Sequence, residues 1–175
     1  MRDISIARNY AETLFELATA AGAVEPWSVL MDETAAAMST PSIEAMLMSP
    51  RVPRDEKVRI VTSALAGAPR TFVLYMGAVI TRNRQNLVGM IADEYRTMTD
   101  THLGRARAGI TLAREVDSLT RTVIVERLAK SIGKEVIAGF ATDPSILGGT
   151  IVRIGDQVYD GSVKKRLSRL RQQLL

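Results

Sequence analysis

The chain of 175 residues contains no cysteine and a single histidine, His102. Without cysteine there is no disulfide, no thiolate metal ligand and no cysteine nucleophile. One histidine cannot build a metal cluster or a histidine relay, although it could act as a single base. Because His102 falls near the end of a predicted helix, we expect it to contact terminal carbonyl groups instead.

Long apolar runs are also missing. The longest covers residues 72–80, whereas a helix that crosses a bilayer needs about 20 apolar residues. Residues 1–6 include an arginine and an aspartate, where a signal peptide would have an unbroken apolar region. We therefore expect a soluble protein that is not exported.

Recognisable motifs for nucleotide binding or acid–base catalysis are absent. Gly133-Lys134 lacks both the preceding glycine and the following serine or threonine of a phosphate-binding loop. Gly148-Gly149 lacks the third glycine of a dinucleotide-binding turn. Adjacent acids such as Asp32-Glu33 diverge around a helix and are expected to be solvated. The sequence predicts no catalytic residue, metal site or cofactor, and an enzyme of unrecognised type remains an alternative.

Charge is divided unevenly along the chain. Residues 1–104 hold 10 basic and 12 acidic residues, a net charge of −2, whereas residues 105–175 hold 13 and 7, a net charge of +6. Much of the excess lies in the last predicted helix, at Lys164, Lys165, Arg166, Arg169 and Arg171. The same helix carries an apolar stripe of Val163, Leu167, Leu170 and Leu174. Three interpretations stay open: phosphate binding, packing of the helix on a sheet, or an acidic protein partner.

Hydrophobic periodicity and turn residues predict a mainly α fold with an α+β C-terminal part. Six helices are expected in residues 1–104, forming a bundle. They cover residues 5–21, 26–38, 42–48, 54–65, 70–82 and 85–103. Residues 105–175 are expected to form a small strand-helix-strands-helix domain. Its strands are predicted at 108–112, 136–142, 150–154 and 157–159, and its helices at 118–132 and 162–174.

The segment from residue 144 to residue 163 is dense in turn signals. Its predicted structural positions are Gly148, Gly149, Gly155, Asp156, Asp160 and Gly161. Gly155-Asp156 suits a tight hairpin between two strands. Ser162 is expected to cap the final helix. These residues are therefore predicted to shape the sheet and begin the basic helix.

The first and fifth predicted helices have more apolar surface than one core contact requires. On the first, apolar residues cover about half of the circumference, and the fifth is apolar nearly all round. If the two helices are adjacent, Tyr10, Tyr75 and Val79 could line a groove for an amphipathic helix of another protein. From periodicity alone, an ordinary core is the favoured interpretation.

Two segments resemble a known family. Residues 144–163, continuing through Lys164-Lys165-Arg166-Leu167-Ser168-Arg169-Leu170, closely resemble the signature of the delta subunit of F-type ATP synthase. The mitochondrial counterpart of that subunit is the oligomycin sensitivity conferral protein, OSCP. Residues 6–18 resemble the opening helix of the family, and Trp27 falls where members often have tryptophan. Length and predicted organisation extend the resemblance over essentially the whole chain.

The resemblance implies a non-catalytic peripheral stator subunit without a cofactor. Residues 1–104 would bind N-terminal helices of the alpha subunits through the first and fifth helices, with Tyr10, Leu14 and Val79 as the expected contacts. Residues 105–175 would join the C-terminal ends of the b-type stalk subunits. Membrane association would be through the complex, at the cytoplasmic face of a bacterial inner membrane. The alternative is a nucleic-acid-binding protein that uses its basic C-terminal domain.

Overall fold

The computed structural model describes residues 2–155 and 157–173, and the side chains of Arg2 and Gln173 are not described. Asp156 of the predicted hairpin and Leu174 of the predicted stripe lie outside the described residues. The chain is mostly helical, with a four-stranded mixed sheet in its C-terminal part. It divides into two compact units, which meet in sequence at Thr99 and Asp100. We name them the helical unit and the mixed unit.

Six described α-helices begin in the helical unit. They are α1 (Arg2–Ala20), α2 (Val24–Met38), α3 (Pro41–Met48), α4 (Arg54–Ala64), α5 (Arg70–Thr81) and α6 (Val88–His102). Prolines mark three of the starts, because Pro41 occupies the first turn of α3 while Pro53 and Pro69 precede α4 and α5. The helix predicted from residue 85 instead opens with a 3₁₀ turn, Gln85–Leu87.

All six helices contribute buried side chains to one apolar cluster. The largest fully buried members include Tyr95, Phe72 and Leu14. The ring of Trp27 packs edge-on against Phe72, with centroids 5.8 Å apart. The Tyr95 hydroxyl donates to the Val24 carbonyl oxygen at 2.9 Å, and burial raises the pKa of Tyr95 to about 12. These buried contacts therefore hold the helices of the unit together.

The mixed unit is built around its sheet. Its elements are β1 (Arg105–Leu112), α7 (Ser118–Ile132), β2 (Glu135–Thr142), a 3₁₀ turn (Pro144–Ile146), β3 (Thr150–Ile154), β4 (Gln157–Asp160) and α8 (Val163–Gln173). The strand order is β2-β1-β3-β4. The β1–β2 pair is parallel and the other two pairs are antiparallel. Accordingly, α7 makes the crossover that a parallel pair requires.

The sheet has a small core on one face. Ala108, Ile110 and Leu112 alternate along β1 and are buried together with Val136. Side chains of α7 pack against this cluster, although none of them is fully buried. The Asp117 side chain accepts from the Thr120 backbone N–H at 2.6 Å and so caps α7.

The sequence position that divides the two units lies within the last turn of α6. Asp100 is 8 % exposed, and its carboxylate pairs with the guanidinium of Arg107 on β1. This contact ties the final turn of α6 to the sheet. The division therefore falls a few residues before Gly104, where the composition changes.

Candidate partner-binding surfaces

A polar contact marks the seam between α1 and α5. The Tyr75 hydroxyl donates to the Tyr10 carbonyl oxygen at 3.0 Å. Tyr75 is 7 % exposed; burial, with Tyr10 nearby, holds its pKa well above the usual value. The phenol thus keeps its proton, and the two helices are adjacent as the groove interpretation requires.

The three expected alpha-subunit contacts differ in accessibility. Tyr10 is half-buried, whereas Leu14 and Val79 have no exposed surface and belong to the core cluster. Leu14 and Val79 therefore lie beneath the seam in this structure. Of these three residues, only Tyr10 has a surface that a partner can contact directly.

Apolar side chains border the seam on both helices. On α5, Leu74 is 63 % exposed and Ala78 is also exposed. At about 100° per residue, both fall on the side of Tyr75 that turns away from the core. On α1, Ile6 and Leu17 lie within about 40° of Tyr10 and are half-buried. The sequence could not single out Leu74, because α5 is apolar nearly all round.

The predicted turn motif brings two loops together. Gly149 has a φ of +83°, and a Cβ there would lie 2.4 Å from the Gly161 carbonyl oxygen. The Gly161 backbone N–H donates to the Thr150 carbonyl oxygen at 2.9 Å, and the Val163 N–H donates to the Gly148 carbonyl oxygen at 2.9 Å. Gly149 therefore meets both a conformational and a steric requirement that favour glycine.

The same loops begin α8. The Asp160 carboxylate accepts from the Ser162 backbone N–H at 2.9 Å, and this bonding to Ser162 holds the pKa of Asp160 below its ordinary value. The Ser162 hydroxyl accepts from the Lys165 backbone N–H at 3.2 Å, which caps the helix. Gly155 has a φ of +54° at the turn between β3 and β4. We name the contacts among residues 148–150 and 160–163 the clasp.

The final helix does not pack on the sheet. No described residue of α8 is buried, and none belongs to the apolar cluster beneath the sheet. The interpretation of α8 as a helix packed on its sheet is therefore wrong. Its apolar stripe stays in contact with solvent, with Val163 38 %, Leu167 52 % and Leu170 54 % exposed.

Other candidate chemistry is sparse in the described part of the chain. His102 is exposed and ends α6. Within residues 2–155 and 157–173, no group of three or more histidine, cysteine or acidic side chains is placed to hold a metal ion. Among the described helices, none has both the length and the apolar content needed to cross a membrane.

Among the described residues, the seam between α1 and α5 and the stripe of α8 are accessible apolar surfaces on helices. Residues 6–174 match the model of the ATP synthase delta (OSCP) subunit family. The chain belongs to that family.

Relatives and a solved structure agree over nearly the full length. The chain is 40 % identical to ATP synthase subunit delta of Gemmatimonas aurantiaca, covering 97 % of this chain and 93 % of the relative. It is 36 % identical to the subunit of the same name in an Anaeromyxobacter species, covering 97 % of each chain. A chain of the Toxoplasma gondii mitochondrial ATP synthase hexamer superimposes with a TM-score of 0.74 at 18 % identity, covering 96 % of each chain. At that identity, the match establishes the shared fold.

The family assignment confirms the recognition made from the two sequence motifs. Members are non-catalytic, peripheral stator components of the F-type ATP synthase, as the sequence predicted. The synthase is a membrane-associated complex, so this chain acts as part of a larger assembly.

Proposed function

We propose that this chain connects the catalytic head of the ATP synthase to its peripheral stalk, so that the head does not turn with the rotor. The helical unit, as a six-helix bundle, receives the N-terminal helix of an alpha subunit. The mixed unit joins the C-terminal ends of b-type stalk subunits. The observation that carries the alpha-subunit assignment is the seam between α1 and α5, bordered by apolar side chains that remain accessible.

The seam suits an amphipathic helix laid along it. Such a helix would bury its apolar face against Leu74, Ala78 and the exposed part of Tyr10. Each buried apolar side chain contributes to binding, and aromatic residues at the centre of an interface often contribute most. Tyr10 is therefore the proposed central contact.

Leu14 and Val79 have a supporting role in this proposal. Both are fully buried beneath the seam, so they set the separation of α1 and α5 instead of offering free surface. The bond from the Tyr75 hydroxyl to the Tyr10 carbonyl oxygen adds a fixed point between the two helices. A preformed seam lowers the ordering cost when the alpha helix binds.

Calorimetry with an alpha-subunit N-terminal peptide tests this assignment. Tyr10→Asp places a charge against the apolar face of the bound helix, and we expect binding to weaken by about 2 kcal/mol. Thr19→Asp is the matched control, because Thr19 is exposed and lies about 180° from Tyr10 on α1. It should bind the peptide like the unchanged protein.

A second variant tests whether the seam binds the peptide through more than Tyr10. Leu74→Ala removes an accessible side chain from α5 and should also weaken peptide binding while leaving the fold intact. Unchanged affinity in both variants, with native circular dichroism, would refute the seam as the alpha-subunit site. Copurification from cells should recover alpha and b-type subunits with the tagged chain, and the absence of both would contradict the connector function.

The proposed location is the cytoplasmic face of a bacterial inner membrane, with attachment through the complex. The support for this location is the family assignment, because the synthase to which the family belongs is membrane-associated. After gentle lysis, the chain should sediment with membranes together with the other synthase subunits. Dissociation of the catalytic head and stalk should release it, whereas retention on membranes stripped of the synthase would contradict attachment through the complex.

A further inference from the structure

The helical unit contains an apolar hollow apart from the seam between α1 and α5. It measures 420 Å³ and lies among α2, α3, α4 and the turn that follows α4. Ile43 and Ile60 on its rim are 36 % and 37 % exposed, so the hollow opens to solvent. Its volume falls within the range of roughly 300–1,000 Å³ that is typical of sites for small molecules. The apolar lining includes Leu30, Met38, Ile43, Met46, Ile60 and Val61.

One carboxylate belongs to this otherwise apolar lining. Among the described residues that line the hollow, Glu33 is the single charged one, and its side chain is exposed. Within residues 2–155 and 157–173, Glu33 forms no ion pair or hydrogen bond through its carboxylate. The other polar side chain of the lining is Thr34, whose hydroxyl already donates to the Leu30 carbonyl oxygen at 2.7 Å. The Glu33 carboxylate therefore remains available to a ligand in the hollow.

The helix ends around the hollow add to its negative character. Ala37 and Met38 lie in the last turn of α2, and Ala64 is the last residue of α4. The C-terminal end of a helix carries a partial negative charge. The first turn of α3 also reaches the hollow at Ile43, but Glu44 in that turn offsets the partial positive charge of the helix start. Two helix C-termini and one carboxylate thus favour a positively charged ligand.

We propose that this hollow binds a small organic cation, with its apolar body against the lining and its ammonium group at Glu33. Burial of the body against Met38, Met46 and Ile60 provides most of the binding free energy. The two methionine side chains can adapt to the shape of the body. The ammonium group provides selectivity, because its attraction to the carboxylate and the helix ends becomes repulsion for an anion. Since three helices and a turn surround the hollow, it suits a compact molecule better than an extended peptide.

An NMR titration of the isotopically labelled full chain tests the proposal with three probes that share one apolar body. Phenylbutylamine carries an ammonium group, phenylbutanol a neutral hydroxyl and phenylbutyrate a carboxylate. We expect amide shifts at the hollow, with phenylbutylamine bound about threefold more tightly than phenylbutanol and about tenfold more tightly than phenylbutyrate. These differences should shrink as salt rises, because Glu33 is exposed.

A charge variant tests the role of Glu33. Glu33→Gln should lower the affinity for phenylbutylamine to that for phenylbutanol, while binding of phenylbutanol stays the same. Glu16→Gln on α1 is the matched control, because Glu16 is exposed and is not among the described residues that line the hollow. It should keep the preference for the ammonium probe.

A second pair of variants locates the binding site. Ala37 lines the hollow whereas Ala36, its exposed neighbour on α2, is not among the described lining residues. Ala37→Leu fills part of the hollow and should weaken binding of all three probes by about fivefold or more. Ala36→Leu should change these affinities by less than about twofold. Both alanines are exposed, so neither change should unfold the chain, and thermal melting checks this.

Three results would overturn the proposal. The first is equal affinity for the three probes, or no binding of any of them. The second is unchanged binding in Ala37→Leu, because the probes would then occupy another surface. The third comes from competition with the alpha-subunit N-terminal peptide. If that peptide displaces phenylbutylamine and itself binds more weakly to Ala37→Leu, the hollow docks a helix of a partner subunit and does not serve a small cation.

Discussion

The first helix of the helical unit and the last helix of the mixed unit use their apolar faces in opposite ways. In the helical unit, α1 buries Ala7, Ala11, Leu14 and Ala18 completely in a core to which all six helices contribute. In the mixed unit, α8 buries no described residue, and the described core beneath the sheet has four buried members. Similar apolar periodicity therefore serves internal packing in α1 and is left accessible in α8.

The difference indicates how a stator subunit can be both stable and adaptable. Burial of apolar surface provides most of the stabilising free energy of a domain. The helical unit, which has the larger buried core, is therefore stabilised mainly by contacts among its own residues. The mixed unit leaves part of its apolar surface for another chain, and binding there would add stability by mass action.

The largest expected effect is in the helical core. Phe72 has no exposed surface and contacts Trp27, so Phe72→Ala should reduce the free energy of unfolding by about 3–5 kcal/mol. The control, Leu74→Ala, changes a side chain on the same helix that is 63 % exposed and should cost less than about 0.5 kcal/mol. Urea unfolding measures both, and equal losses would contradict the division between core and seam.

A smaller loss is expected at the clasp. Gly149→Ala puts a Cβ 2.4 Å from the Gly161 carbonyl oxygen at a φ of +83°, so the backbone must shift. We expect a cost of about 2–4 kcal/mol, and hydrogen exchange should show the amides at the start of α8 opening first. Gly139→Ala is the control, because a Cβ there meets nothing within 4 Å. If the two variants are equally stable, the clasp does not need glycine at this position.

The sequence predicted local features well where a single residue decides the backbone conformation. The starts of α3, α4 and α5 were predicted to within one residue from Pro41, Pro53 and Pro69. The end of α7 was predicted from Gly133, which adopts a φ of +69° there. The predicted β3, residues 150–154, matches the observed strand. Such signals act through backbone sterics and need no knowledge of distant residues.

The sequence could not predict which faces remain accessible. Periodicity identifies residues that share a face, but burial depends on elements distant in sequence. Leu14 and Leu170 both belong to regular apolar stripes, yet the first is fully buried and the second is 54 % exposed. Leu74 was missed for the same reason, because nothing in the apolar run of α5 marks the side that faces solvent.

A more modest contribution is expected from an ion pair between helices. Two nitrogen atoms of Arg96 on α6 contact the Asp32 carboxylate of α2 at 2.6 and 3.2 Å. Arg96→Met keeps most of the apolar stem and should cost about 0.5–1 kcal/mol, with less effect at high salt. Arg8→Met is the comparison, since Arg8 is 62 % exposed and approaches Glu94 at 3.3 Å. Arg8→Met should reduce the free energy of unfolding by less than Arg96→Met, and the reverse order would contradict this prediction.

The smallest expected effect is confined to acid pH and to the clasp. Hydrogen bonding to Ser162 lowers the pKa of Asp160 in the folded chain, so the ionised carboxylate favours folding. That contribution is fully present above the unfolded pKa of about 3.9 and is lost as pH falls through the lower folded pKa.

Asp160→Asn keeps an acceptor oxygen but no charge, so its urea midpoint should fall less between pH 5 and pH 2 than that of the unchanged chain. Glu115→Gln is the control, because it removes a charge from an exposed loop position of the same unit. Its urea midpoint should fall between pH 5 and pH 2 as much as that of the unchanged chain. An equally steep fall in Asp160→Asn would mean that the carboxylate charge does not stabilise the clasp, leaving the backbone contacts of Gly149 and Gly161 to hold α8 in place.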